Sequence, residues 1–294
     1  MRLLLLLGFL FPLLSFAVLR CSLDYSGKPG RLGLLKCSGL EKGYYEVELV
    51  EKSPSGAEVV KIFPAVNPAP HDFLPFAVPA DWRGEVLLIL KKNGAVLGGV
   101  TLSINGTPEG LKSVPEGVKR VFYSAKGVCF GGRKTGLDLE GQYKLIRNTL
   151  SIYTPERFFE ERAVFPLEFY KRVSSPFGVS RVIFGIKESF HKGVDLAAPE
   201  GTPVLAALSG RVVFAGQLAL TGNTVIIDHG WGLMTLYAHM ACLSVKTGQF
   251  VRRGRQIGKV GSTGRSTGPH LHFGVYLRDT AVDPLSFLVK ELHP

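Results

Sequence analysis

"GSTGRSTGPHLHFGV", residues 261–275, opens as a glycine-broken turn and ends with two histidines one residue apart, in a chain that holds seven. The period of this run decides the fold of the C-terminal half. In a strand the side chains alternate faces, so His270 and His272 point the same way with Cα atoms roughly 6.5–7 Å apart. Outward from the pair, glycines at 193, 201, 210, 216, 222, 230, 248, 254, 258, 261, 264 and 268 cut residues 166–294 into short apolar runs. Runs of about four to eight residues between such turns predict an all-β domain. Within it "PVLAALSGRVVFAG" (203–216) and "LSVKTGQFVRRGRQIGKVG" (243–261) echo one another as strand, glycine turn, strand, a hint of internal duplication.

The rest of the chain divides by pattern. At 294 residues it exceeds one ordinary domain. From 18 to 106 short strands alternate with turns: in "YYEVELV" (44–50) Tyr45, Val47 and Leu49 alternate with Glu46 and Glu48. In "EVLLILKKNGAVLGGVTLSI" (85–104) Asn93-Gly94 supplies the positive φ angles of a two-residue hairpin turn. A small β-sandwich is expected there. Residues 107–165 read as a connector with one helix in "DLEGQYKLIRNTLSIY" (138–153), its face marked by Ile146, Leu150 and Tyr153, capped by Asp138 and ended by Pro155.

"MRLLLLLGFLFPLLSFAVLRC" (1–21) has a basic Arg2, an apolar run from Leu3 to Leu14, and small residues at Ser15 and Ala17. Residues 1–17 therefore read as a cleaved export signal, with an uncleaved membrane anchor as the alternative. A lipid-modified Cys21 is disfavoured, because Arg20 stands where lipid attachment wants a small residue. Export into an oxidising compartment (periplasm, cell envelope or outside) permits a Cys21–Cys37 bridge; Cys129 and Cys242 can pair or be small buried apolar residues.

The formal charge is +11, and from Pro166 onward 14 Lys and Arg stand against 8 Asp and Glu. That surplus favours an anionic polymer outside the membrane, or serves solubility alone. No aromatic-interleaved basic stripe or nucleic-acid module accompanies it, so nucleic acid is set aside.

Three segments concentrate chemistry. His270 and His272 form the first; "FHKGVDLAAPEGTPV" (190–204) adds His191 and Asp195, four apart; "LMTLYAHMA" (233–241) adds His239, expected to share a strand face with Tyr237. Imidazole and carboxylate donors suit zinc, which takes three protein ligands in catalytic sites and keeps one position open. Five candidate groups exceed three, so two remain for acid–base or electrostatic work. Packing is preferred for Tyr237, His229 before its Gly-Trp-Gly turn is a candidate partner of the site residues, and His71 and His293 have no partner in sequence. "GRQIGKVGSTGRST" (254–267) is not a phosphate loop, since Val260 stands where Ser or Thr is required.

"FHKGVDLAAPEGTPVLAALSGRVV", "GNTVIIDHGWGLMTLYAHM" and "GSTGRSTGPHLHFGV", with "SPFGVSR" as a lead-in, resemble the lysostaphin/LytM-type zinc metalloendopeptidases of bacterial cell walls from about Ser174 to Pro284. The resemblance implies an antiparallel β-sheet groove of a duplicated hybrid type and one zinc ion. It also implies His191, Asp195 and His272 as zinc ligands, His239 and His270 as catalytic histidines, and hydrolysis of peptide cross-links in peptidoglycan. A non-catalytic wall-binding or amidase-activating regulator of the same fold is the competing expectation.

Overall fold

The computed structural model describes residues 4–6, 20–38, 40–52, 58–66, 73–107, 110, 112–116, 118, 128–159, 162–183 and 187–290. Most of the apolar N-terminal run, His71 and His293 lie outside the described residues. The chain divides into two units, one ending at Thr107 and the other running from Pro108 to Lys290, so residues 107–165 cluster largely with the second.

The first unit contains β1 (Leu4–Leu6), β2 (Arg20–Asp24), β3 (Leu32–Ser38), β4 (Tyr44–Lys52), β5 (Glu58–Val66), β6 (Phe73–Ala77), β7 (Gly84–Lys92) and β8 (Ala95–Ile104). They form two four-stranded sheets in the orders β1-β2-β3-β6 and β5-β4-β7-β8. Alternation does what the pattern predicts: Tyr45, Val47 and Leu49 are buried, as are Val86, Leu88 and Leu90 opposite. On the other face Glu48 meets Lys91 at 2.7 Å. Asn93 and Gly94 take φ of 49° and 84° at the β7–β8 hairpin, as its two-residue turn requires. Cys21 and Cys37, directly opposed on β2 and β3, are bridged.

The second unit contains α1 (Leu139–Leu150), β9 (Arg172–Ser175), β10 (Ser180–Ile183), β11 (Lys187–Phe190), β12 (Val194–Ala197), β13 (Pro203–Leu205), β14 (Gly210–Leu218), β15 (Gly222–Asp228), β16 (Leu233–Met240), β17 (Cys242–Leu243), β18 (Phe250–Val251), β19 (Gln256–Lys259), β20 (His270–Leu277), β21 (Thr280–Val282) and the short α2 (Pro284–Phe287). The main antiparallel sheet runs β18-β14-β15-β16-β20-β12-β9, with β21 added on β20. β13, β19 and β17 make a three-stranded sheet, and β10 pairs with β11. The two echoing stretches are partners: β13 pairs with β19 and β14 with β18.

Asp138 caps α1, its carboxylate accepting the Gly141 N–H at 2.8 Å. Ile146 and Leu150 lay the helix on a cluster of Ile226, Met234, Leu236, Ala238 and Tyr276. The helix stops at Leu150, so Tyr153 is not on its face as expected; the Ser151 N–H closes the last turn onto the Arg147 carbonyl. Residues 129–134, ahead of α1, touch both the three-stranded and the main sheet. Phe130 bridges to Leu243, Lys134 to Gln217, and Cys129 is bonded to Cys242.

Candidate active site

The site is set by register. On adjacent antiparallel strands Asp195 lies opposite His272 and Ala197 opposite His270, so both histidines and the carboxylate share one face. Ala238 lies opposite His272 on the other side, which makes this the face that α1 covers further along. His191 enters from the turn before β12, where its N–H bonds the Val179 carbonyl and its carbonyl accepts the Gly178 N–H.

Three donor atoms meet there. His191 Nε2 lies 3.1 Å from Asp195 Oδ1, His272 Nδ1 lies 2.8 Å from the same oxygen, and the two nitrogens are 3.0 Å apart. Three ligands on one ion with bonds of 2.0–2.2 Å stand about 3.3 Å apart in tetrahedral geometry, so the triangle needs only a few tenths of an ångström of expansion. The His191 tautomer also fits. His191 Nδ1 is 2.9 Å from the Pro176 carbonyl, which only accepts, so the proton sits on Nδ1 and Nε2 offers its lone pair inward. The Asp195 carboxyl feels burial, which raises its pKa, but the His191 and His272 imidazoles beside it outweigh burial and hold it well below the usual carboxylate range. Nitrogen and oxygen donors so arranged are a candidate site for one divalent transition-metal ion.

Gly193 makes room for the His272 ring. A Cβ at this position would stand 2.7 Å from His272 Cε1, 2.8 Å from His272 Nε2 and 2.6 Å from the Phe273 carbonyl oxygen. Any side chain there displaces the imidazole.

The other two histidines line the same face. The His270 ring centroid lies 4.8 Å from that of His239, and His270 Nε2 lies 3.9 Å from Asp195 Oδ1. Each has its tautomer fixed by a carbonyl: His270 Nδ1 donates to Gly268 at 2.8 Å and His239 Nδ1 to Thr263 at 2.8 Å. Both rings therefore carry an unprotonated Nε2 when neutral. Burial pushes the His239 pKa down to about 4, against the raising effect of the Thr263 carbonyl, so this ring is neutral at neutral pH.

His239 differs from the expectation that it shares a face with Tyr237. Tyr237 lies opposite Phe273, is fully buried, and its hydroxyl accepts the Ala207 N–H at 2.8 Å. A regular strand would send His239 to that buried face. Instead the β15–β16 register shifts between Asn223 and Val225, a bulge, and His239 takes φ of 61°. The bulge and the left-handed residue together turn the imidazole over to His270. Sequence reasoning missed the carbonyls of Pro176, Thr263 and Gly268, because a main-chain acceptor leaves no residue-type signal.

His229 is not at this site. Wholly buried, it is paired through Nδ1 with the Ser209 carbonyl at 2.9 Å and through Nε2 with the Thr235 hydroxyl at 2.7 Å, which lies 3.1 Å from the Tyr237 hydroxyl. With its proton on Nδ1, His229 accepts from Thr235, Thr235 from Tyr237, and Tyr237 from Ala207, leaving every group satisfied.

A donor triangle flanked by two imidazoles with free lone pairs places the second unit with the metal-dependent peptidases. Residues 189–284, within the second unit, match peptidase family M23. Among curated proteins it is 45% identical over 132 residues to "DD-carboxypeptidase/endopeptidase Mpg" of Neisseria meningitidis serogroup B, covering 44% of this chain and 30% of that one. It is 41% identical over 122 residues to "Peptidoglycan DD-endopeptidase ShyA" of Vibrio cholerae, covering 41% and 28%. The chain thus spans about a third or less of the length of these relatives. A solved structure described as a candidate M23 peptidase of Pseudomonas aeruginosa is 26% identical with a TM-score of 0.56, over 90% of this chain and 96% of that one.

Proposed function

We propose that this chain is an exported zinc metalloendopeptidase that hydrolyses peptide cross-links of bacterial peptidoglycan. The observation that carries the reading is the convergence of His191 Nε2, Asp195 Oδ1 and His272 Nδ1 on one point, with Nε2 of His239 and His270 beside it. Two relatives named for peptidoglycan or DD-peptide cleavage support the substrate class, and the apolar run with Ser15 and Ala17 supports export with removal of residues 1–17, which would take β1 away and leave β2-β3-β6 in that sheet.

In this reading His191, Asp195 and His272 hold the ion. When bound, zinc supplies a Lewis acid that polarises the scissile carbonyl and lowers the pKa of water. Asp195 would contribute the negative charge, while the Pro176 carbonyl fixes the ring of His191. His239, kept neutral by burial, accepts a proton from the attacking water at Nε2 and returns it to the leaving amine nitrogen. His270, whose ring lies 4.8 Å from that of His239, would be the second catalytic histidine and would stabilise the developing oxyanion. The basic surface of the second unit favours an anionic wall polymer.

Purified full-length protein supplied with zinc should release peptides from isolated sacculi, read by mass spectrometry, and a chelator should abolish the release. Sacculi that stay intact after prolonged incubation with metal-loaded protein would overturn the proposal.

A further inference from the structure

His239 sits in the left-handed backbone region, which is unfavourable for a residue with a side chain, so its surroundings must hold it there. Its N–H is taken by the Thr221 carbonyl at 2.8 Å. The two carbonyls that follow it are gripped by one side chain: Asn223 Nδ2 donates to Met240 O at 3.0 Å and to Ala241 O at 2.9 Å. The same amide accepts the Gly132 N–H through Oδ1 at 3.0 Å. Asn223 is 2% exposed, and both of its donors are spent on the bulge.

Thr263 closes the arrangement from the facing loop. Its hydroxyl accepts the Asn223 N–H at 2.9 Å and donates to Met240 O at 2.7 Å, while its carbonyl receives the His239 Nδ1 proton. One residue thus touches both the backbone behind His239 and the ring. The approach is close enough that Gly222 admits no side chain: a Cβ there would collide with the Thr263 hydroxyl and carbonyl.

We propose that Asn223 and Thr263 are positioning residues for His239: through Met240 O, Ala241 O and the Thr263 carbonyl they keep the bulge closed, aim the imidazole at His270 and fix its proton on Nδ1. The inference rests on the peptidase reading for its consequence in turnover, but the geometry is testable without turnover. Neither residue touches the donor triangle, so their loss should spare metal binding.

Thr263→Val removes one hydroxyl at nearly constant shape and keeps the carbonyl; Thr263→Ser restores the hydroxyl; Asn223→Asp replaces two donors by acceptors facing two carbonyls. On the full-length chain three quantities are measured: zinc stoichiometry, kcat and KM on a soluble cross-linked peptide, and the imidazole 15N chemical shifts of His239. The expected result for Thr263→Val and Asn223→Asp is one zinc per chain and an unchanged KM. With these, kcat should fall about 100-fold, the scale of an ångström's misplacement of a catalytic group, and the His239 shifts should move from the Nδ1–H pattern towards a tautomer mixture. Thr263→Ser should return both kcat and the shifts to wild-type values. Wild-type kcat with an unaltered Nδ1–H signature in Thr263→Val and Asn223→Asp would overturn the inference. If wild-type protein cleaves nothing, the peptidase reading fails, while the shifts still decide whether Asn223 and Thr263 hold His239.

Discussion

At the scale of single residues, proton placement separates the five candidate groups into two sets. His191, His239 and His270 each face a main-chain carbonyl through Nδ1 and so present a lone pair at Nε2, but only His191 has its Nε2 within 3.1 Å of Asp195 Oδ1. His239→Ala should therefore keep its metal, read by elemental analysis, and lose about 100- to 10,000-fold in hydrolysis, the range for a positioned general base. Retained wall hydrolysis in that variant would favour a role other than proton transfer for His239; a retained cellular effect without hydrolysis would favour the regulator. Gly193→Ala tests the opposite set. Its methyl meets the His272 ring and the Phe273 carbonyl, both held by the β12–β20 ladder, so the imidazole must give way. Metal affinity measured by competition with a chelating dye should fall about 10- to 100-fold, as when support for a ligand is lost. Unchanged affinity would mean that His272 is not held in the orientation described.

At the scale of elements, what was legible in the sequence was whatever obeyed a period. Glycine spacing and alternation were enough to anticipate the strands, the Asn93-Gly94 hairpin and the pairing of His270 with His272, and Asp138 marked the start of α1. The miss at Tyr237 and His239 came from applying the period of two through a bulge, which inserts one residue and turns everything after it. Nothing in "LMTLYAHMA" marks that insertion, because its cause lies in Asn223 and Thr263 on other strands and loops. Element packing also explains His229, which links β15 to β16 through Thr235. Burial pushes its pKa down to about 4, with the Ser209 carbonyl opposing, against 6.5 in an unfolded chain. Below pH 6.5 the unfolded chain takes up the proton first. The stabilisation is complete above that pH and is lost as pH falls towards 4, roughly 3 kcal/mol in all. Unfolding free energies followed between pH 7 and 4 should fall further in wild type than in His229→Gln by about that amount; parallel curves would mean that His229 is protonated without cost.

At the scale of the whole molecule, the family resemblance in the sequence covered the second unit only, and the first was legible as strands without a role. Chain-distant links, chiefly cystine pairing, were the part that spacing left open. Cys129–Cys242 joins residues 113 apart in sequence and pins the segment from 129 to 134 to β17 and β14, close to where Gly132 meets Asn223. Closing a loop of that size removes unfolded-state entropy worth about 4–5 kcal/mol, while Cys21–Cys37, 16 apart, closes a shorter loop within the first unit. The two bridges therefore act on different units. Replacing Cys129 and Cys242 together by Ser should lower amide hydrogen-exchange protection through residues 128–290, by about 2–5 kcal/mol at its most protected sites, and leave residues 20–107 unchanged. Adding zinc should restore part of the loss in the second unit alone, because an ion that binds only the folded site stabilises it by mass action. Protection that falls equally in both units would show that they unfold as one cooperative body, and zinc protection spread over residues 20–107 would show the same by an independent route.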